Sequence, residues 1–284
     1  MKIIVCPTDF SPNSLNATNY AIALAKKLNT KIILVHTYEN PVMYTDQPMA
    51  SIRLADEQVR LSVEKKLTTL KLKLQKANPG LAIESLLLEG ASHEQLTVAA
   101  DKYKADLIVM GATGTGKLER LLVGSTTSRV IREANCPVFC IPKGVQFTGI
   151  KKIIFSTDLK EDNVRAATSI AAFAKIFDAE IVFLYVDDKH FIHSDEEIVR
   201  MTSKIRSRIK YPRISGYISK DPHITNGINA FLKKHPADIL VMFTHRKHFP
   251  ESLFHSSVTT MMSHQTSIPL LSLKHSDEVK LSKV

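Results

Sequence analysis

The chain repeats itself, and the repeat limits the folds open to it. Laying Thr8-Asp9-Phe10 over Thr157-Asp158-Leu159 gives an offset of 149 residues. The segments that follow then align: ATNYAIALAKKLNTKIILVHT over AATSIAAFAKIFDAEIVFLYV. Further on, ADLIVMGATG from Ala105 lies over ADILVMFTHR from Ala237 at an offset of 132, and Cys136-Pro137-Val138 falls over Ile268-Pro269-Leu270. The second copy is therefore 17 residues shorter in its middle. Self-similarity over this length means two structural units. Their boundary falls where KGVQFTG, residues 143–149, breaks the apolar pattern, so the domains expected are 1–145 and 150–276.

Within each copy, short apolar runs alternate with helical patterns. In the first, strands are predicted at 2–7, 31–36, 82–88, 106–111 and 137–141, with helices near 11–28, 51–77, 93–103 and 125–134. Runs such as KIIVC, KIILVH and DLIVM are apolar on both faces, as parallel strands covered by helices must be. The fold class is α/β, with a doubly wound parallel sheet in each copy. Such sheets bind ligands beyond the carboxyl ends of their strands, where the strand order switches. Pro7-Thr8-Asp9, Val35-His36 and the residues after Met110 lie at those ends.

GATGTGKL, residues 111–118, reads as a phosphate-binding P-loop until its last position, where Leu118 replaces the Ser or Thr that ligates magnesium. A true P-loop also joins a strand directly to a helix, whereas here KLERLLVGSTTSRV intervenes. A different frame fits: Gly111-x2-Gly114-x9-Gly124-Ser125. Gly111 ends a strand and lets backbone approach a ligand; Gly114 permits an unusual turn with bare amides for phosphate oxygens. Gly124-Ser125-Thr126-Thr127 forms a second cluster of amides and hydroxyls opening a helix, where the dipole favours anions.

The G-x2-G-x9-G-[S/T] spacing, the opening KIIVCPTDFS, the ADLIVMG strand and the closing CPVFCIP resemble the nucleotide-binding branch of the universal stress protein (UspA-like) family. Because the resemblance covers both halves of the chain, the chain is similar to a tandem member. The resemblance implies two tandem Rossmann-like (adenine nucleotide alpha hydrolase-like) domains, each a five-stranded parallel sheet flanked by helices. It also implies that Pro7, Thr8 and Asp9 contact adenine and ribose, and that Val35 contacts adenine. Met110, Gly111 and Gly114 would line the ribose and phosphate path, and Gly124, Ser125, Thr126 and Thr127 would hold phosphates. Lys117 and Arg120 stand near by as basic residues, of the kind loops usually leave solvated. The ligand implied is ATP, or ADP or AMP, with magnesium optionally carried on the phosphates. Single-domain members commonly pair through their last strands; in this chain those are 137–141 and 268–273, which would pair intramolecularly as a pseudo-dimer and leave room for a homodimer.

The second copy departs from the frame. Gly111 becomes Phe243, Gly114 becomes Arg246 and Gly124 becomes Ser256, while Asp158, Ser257 and Thr259 remain. A phenylalanine stands where backbone should approach ribose, so this half reads as a degenerate partner or regulatory domain. It holds nine of the 11 histidines: His190, His193, His223, His235, His245, His248, His255, His264 and His275. His245 and His248 share a loop, but their spacing matches no zinc signature, and packing or surface roles are favoured. No metal ligands are assigned.

Other partners are limited by composition. Net charge is +10, yet the basic residues are spread among acids and along helix faces. In VEKKLTTLKLKLQK, Val63, Leu67, Leu70 and Leu74 fall at helical spacing with the lysines opposite, which is an ordinary solvated helix. Trp is absent and no aromatic-basic interleaving occurs, which argues against nucleic acid. No run approaches the roughly 18 apolar residues of a membrane span, and MKIIVCPTDF reads as a first strand rather than a signal peptide. The three cysteines, Cys6, Cys136 and Cys140, sit in strand-like contexts as buried thiols, with the C-x3-C pair on one face. These features point to the cytoplasm.

The leading functional reading is an adenine-nucleotide-binding stress-response or signalling protein whose nucleotide state alters its contacts with protein partners not identifiable from sequence. The alternative is a slow ATPase or phosphotransferase using the same site. A scaffold in which neither half needs nucleotide is a third. No catalytic residues are assigned, because no Ser-His-Asp set, metal triad or evident general base lies at the glycine loop.

Overall fold

The computed structural model describes residues 1–39, 49–112, 125–157, 163–188, 195–243, 262 and 267–274. In chain order the first copy runs β1 (Ile3–Pro7), α1 (Pro12–Leu28), β2 (Lys31–Tyr38), α2 (Met49–Ala77), β3 (Ile83–Glu89), α3 (Ser92–Lys102), β4 (Leu107–Gly111), α4 (Ser125–Glu133) and β5 (Val138–Ile141). The second runs β6 (Lys152–Thr157), α5 (Asn163–Phe177), β7 (Glu180–Asp187), α6 (Asp195–Ile209), β8 (Ile214–Lys220), α7 (Ile224–Lys234), β9 (Ile239–Phe243) and β10 (Leu270–Leu273). Most of the length missing from the second copy comes out of one helix: α2 has 29 residues and its counterpart α6 has 15.

Among the described residues all ten strands belong to one sheet, ordered β3-β2-β1-β4-β5-β10-β9-β6-β7-β8. Within each copy every pairing is parallel. The copies meet at β5 and β10, which pair antiparallel with Leu271 opposite Phe139. Each copy is thus a five-stranded Rossmann-like sheet, and the last strand of one completes the edge of the other.

The apolar runs behave as two-sided strands. Along β1, Ile4 and Cys6 enter a core with α1 and α2, while Val5 enters a second core on the opposite face with α3 and α4. All three are fully buried. In the second copy α5 and α6 cover the first face and α7 the second. Cys136 and Cys140 are buried together in the second core. Along α2, Leu67 and Leu74 are buried and Leu70 packs at the core edge.

The repeat offsets recur as contacts. Asp106 Oδ2 accepts from the amides of Lys2 and Ile3 at 2.7 and 3.0 Å. Asp238 Oδ2 accepts from Lys151 and Lys152 at 2.6 and 2.9 Å. Each carboxylate closes the start of its copy's first strand. The segment joining the copies is tied down: Asn16 Nδ2 donates to Pro142 O and Val145 O. Phe147 packs edge-on against Tyr20 of α1 and contacts Phe177 of α5.

Candidate functional site at the switch point

In the first copy β1 lies between β2 and β4. The chain leaves β1 toward β2 on one side and returns on the other as β4. The connections diverge there and open a crevice at the carboxyl ends of the strands. Pro7, Thr8 and Asp9 stand at the end of β1, and Met110 and Gly111 end β4.

The β1 end is built from short polar bonds. Thr8 is buried; its amide donates to Val35 O at 2.8 Å and continues the ladder. Its hydroxyl accepts from the Phe10 amide at 3.1 Å and lies 3.2 Å from Ser14 Oγ. Asp9 Oδ1 accepts from the Ser11 amide at 3.0 Å, an Asx turn leading into α1. Ser11 then caps the helix, accepting from Ser14 N, with Pro12 at the first helical position. Partial burial pushes the exposed Asp9 carboxyl up. Hydrogen bonds from Ser11 and Ser14 outweigh it and hold the group below the ordinary aspartate range, so it is a fixed anion at neutral pH.

Phe10 occupies the left-handed region at φ 63°, uncommon for a bulky residue. Its ring packs 4.5 Å from that of His36, whose Nδ1 lies 2.6 Å from Thr8 O. A carbonyl only accepts, so Nδ1 carries a proton and donates. One residue on, Thr37 Oγ1 lies 2.7 Å from Ser92 Oγ, joining the β2 end to the start of α3.

Val35 has no exposed surface and its side chain belongs to the core beside α3, so it would meet a ligand through its backbone. Residues alternate faces along a strand; the half-buried groups at this end are His36 and Thr37. Met110 is likewise 5% exposed, its side chain in the same core. Gly111 is half-buried, and its carbonyl accepts from Thr127 Oγ1 at 3.1 Å. Thr127 is itself buried, so its hydroxyl clamps the start of α4 to the end of β4 and faces away from solvent. Ser125 is exposed and Thr126 half-buried, both in the first turn of α4. The structure brings the β1 end, the β4 end and this turn to one edge of the sheet. Gly114, Gly124, Lys117 and Arg120 lie outside the described residues.

Residues 1–142 match the universal stress protein family. The chain belongs to that family. A universal stress protein of Methanocaldococcus jannaschii is 36% identical over 142 residues, 50% of this chain and 82% of the relative. One from Thermus aquaticus is 33% identical over 141 residues, 49% of this chain and 98% of the relative. Over the whole chain the fold is similar to a universal stress protein structure from Archaeoglobus fulgidus, with a TM-score of 0.76 at 17% identity and 96% of both chains covered. A Pseudomonas aeruginosa structure gives 0.68 at 12% identity, covering 100% of this chain and 97% of the other.

The second universal stress copy keeps the strand ends and differs in what fills them. Thr157 is buried at the end of β6, as Thr8 is at the end of β1. Phe243, the repeat equivalent of Gly111, is half-buried with its ring 5.8 Å from Phe155. It folds down onto the core under β6. Asp158, Arg246, Ser256, Ser257 and Thr259 lie outside the described residues, as do His190, His193, His245, His248, His255, His264 and His275. His235 packs on Phe231 and Tyr217, with ring centroids at 4.3 and 5.4 Å. Among the described residues, no group of three or more His, Cys, Asp or Glu side chains is arranged to hold a metal. No helix there is long and apolar enough to cross a membrane.

Proposed function

We propose that this universal stress protein binds one adenine nucleotide per chain, ATP or ADP, in the first copy, and signals through protein partners that read the nucleotide state. The observation that carries the reading is the meeting of three groups at the β1–β4 switch point. These are the Asp9 carboxylate, the half-buried Gly111 end of β4, and the first turn of α4 with Ser125 and Thr126. A carboxylate acceptor suits ribose hydroxyls, and a helix N-terminus suits phosphate. His36 and Thr37 offer polar contacts where the base would lie, beside the Val35 backbone. Gly114 and Gly124 complete the cradle on the sequence frame, and magnesium would ride on the phosphates. The second copy, with Phe243 and Arg246 in place of glycines, serves as a partner domain. Through β5–β10 pairing the chain acts as its own pseudo-dimer, in the cytoplasm.

Calorimetry with ATP on the full chain tests this, and one site per chain is expected. Two equal sites, or none, refute it. Gly114→Arg, which copies Arg246 of the second half, should abolish that site with the circular dichroism spectrum unchanged, because its side chain would fill the phosphate path while loops tolerate substitution. ATP turnover measured on the same sample separates a binding protein from a slow ATPase.

A further inference from the structure

Lys274 follows the last strand of the second copy, and its side chain ends in the first. It is 3% exposed. Its ammonium donates to Arg132 O at 2.5 Å and Ala134 O at 2.6 Å, the carbonyls closing α4. The last carbonyls of a helix lack intrahelical partners and carry the negative end of its dipole. A buried cation placed on them satisfies both the hydrogen bonds and the field. At the 132-residue offset Lys274 falls on Pro142, which has no side-chain donor.

The helix it holds is short, nine residues. Helices of this length are marginal without tertiary anchors. Within its own copy the Thr127 hydroxyl ties its first turn to Gly111 O, Val130 and Ile131 pack into the core, and Asn135 just past its end donates to Asp101; Lys274 adds a tie from the other copy. We propose that Lys274 is a positioning residue through which the second copy sets the phosphate-facing turn of α4 in the first, coupling the two halves through that helix. This rests on the nucleotide reading above. It gives the degenerate half a task that needs no nucleotide of its own. By linkage, phosphates that fix the start of α4 also strengthen the Lys274 contact, so the second copy senses occupancy of the first.

The test compares ATP and adenosine binding to the full chain in wild type, Lys274→Met and Lys274→Arg. Only ATP reaches α4. Lys274→Met should therefore weaken ATP about three- to tenfold and leave adenosine unchanged, while Lys274→Arg, which keeps the charge, restores most of the loss. Equal weakening of both ligands, or of neither, overturns the inference while the nucleotide site stands. A wild type that binds no ATP sinks the site itself, and the coupling with it. Amide exchange on the wild type gives a readout independent of the variants. ATP should slow exchange in residues 267–274 as well as in α4; protection confined to residues 1–142 overturns the coupling.

Discussion

Phe10 carries the tightest local constraint at the site. A bulky residue at φ 63° costs about 1–3 kcal/mol. It is held there by its amide bond to Thr8 and its ring contact with His36. The turn it makes aims the Asp9 carboxylate outward. Asp9→Asn should therefore weaken ATP about tenfold or more by removing a charge-assisted acceptor. The melting temperature should hardly move, because Asn can still accept the Ser11 amide and keep the Asx turn. An unchanged affinity in calorimetry would remove Asp9 from the site. The thiols make a second residue-scale prediction. Burial pushes both Cys6 and Cys140 from 9.0 up to about 12, with a bond to Thr18 only partly opposing it at Cys6. Unfolded thiols ionise through about 9 while the folded ones stay protonated to about 12. The stability they contribute is present in full below about 9 and is lost as pH climbs from there through 12. A thiol-specific reagent at pH 8 should find almost no reactive cysteine in the native chain and all three in guanidinium.

At the scale of elements, α1 and α4 contrast. α1 is written locally: Ser11 caps it, Pro12 starts it, and Asn29 in the left-handed region closes it with its amide on Ala25 O. α4 is legible only as GSTTSRV, a polar start to a short helix. That Thr127 faces inward to Gly111 while Ser125 faces out depends on how the helix rotates against β4. Thr127→Val keeps the shape and strands the Gly111 carbonyl. It should lower unfolding free energy by about 1 kcal/mol in a urea titration and also weaken ATP, because the turn loses its tie to the strand. Loss of stability with full ATP affinity would show that the tie does not set the turn.

At the scale of the molecule, the antiparallel β5–β10 seam turns two open sheets into one of ten strands. Leu270, Leu271, Phe139 and Cys140 are buried there. Separating the halves would bare two apolar edges, which invite edge-to-edge association. Residues 1–145 and 150–276 produced apart should therefore self-associate, and when mixed should form a 1:1 complex in size-exclusion chromatography with light scattering. Two soluble monomers that ignore each other would contradict the seam as a source of stability. Lys274 and Phe147 add side-chain ties across the same junction.

The sequence by itself determined the repeat, its offsets, the strand and helix positions to within a few residues, and which residues stand at the ends of β1 and β4. These are properties of periodicity and of short motifs, which act over a few neighbouring residues. The family resemblance also pointed to the strands that pair between copies. Only the tertiary structure decided which residue at each strand end turns to the core. Two-sided burial erases the alternation that would distinguish faces, so KIILVH did not say that Val35 turns to the core while His36 meets Thr8. Nor could any local pattern show Lys274 seated on a helix 140 residues earlier. Contacts between distant segments are set by how the two sheets join, and that is fixed only when the whole chain is packed.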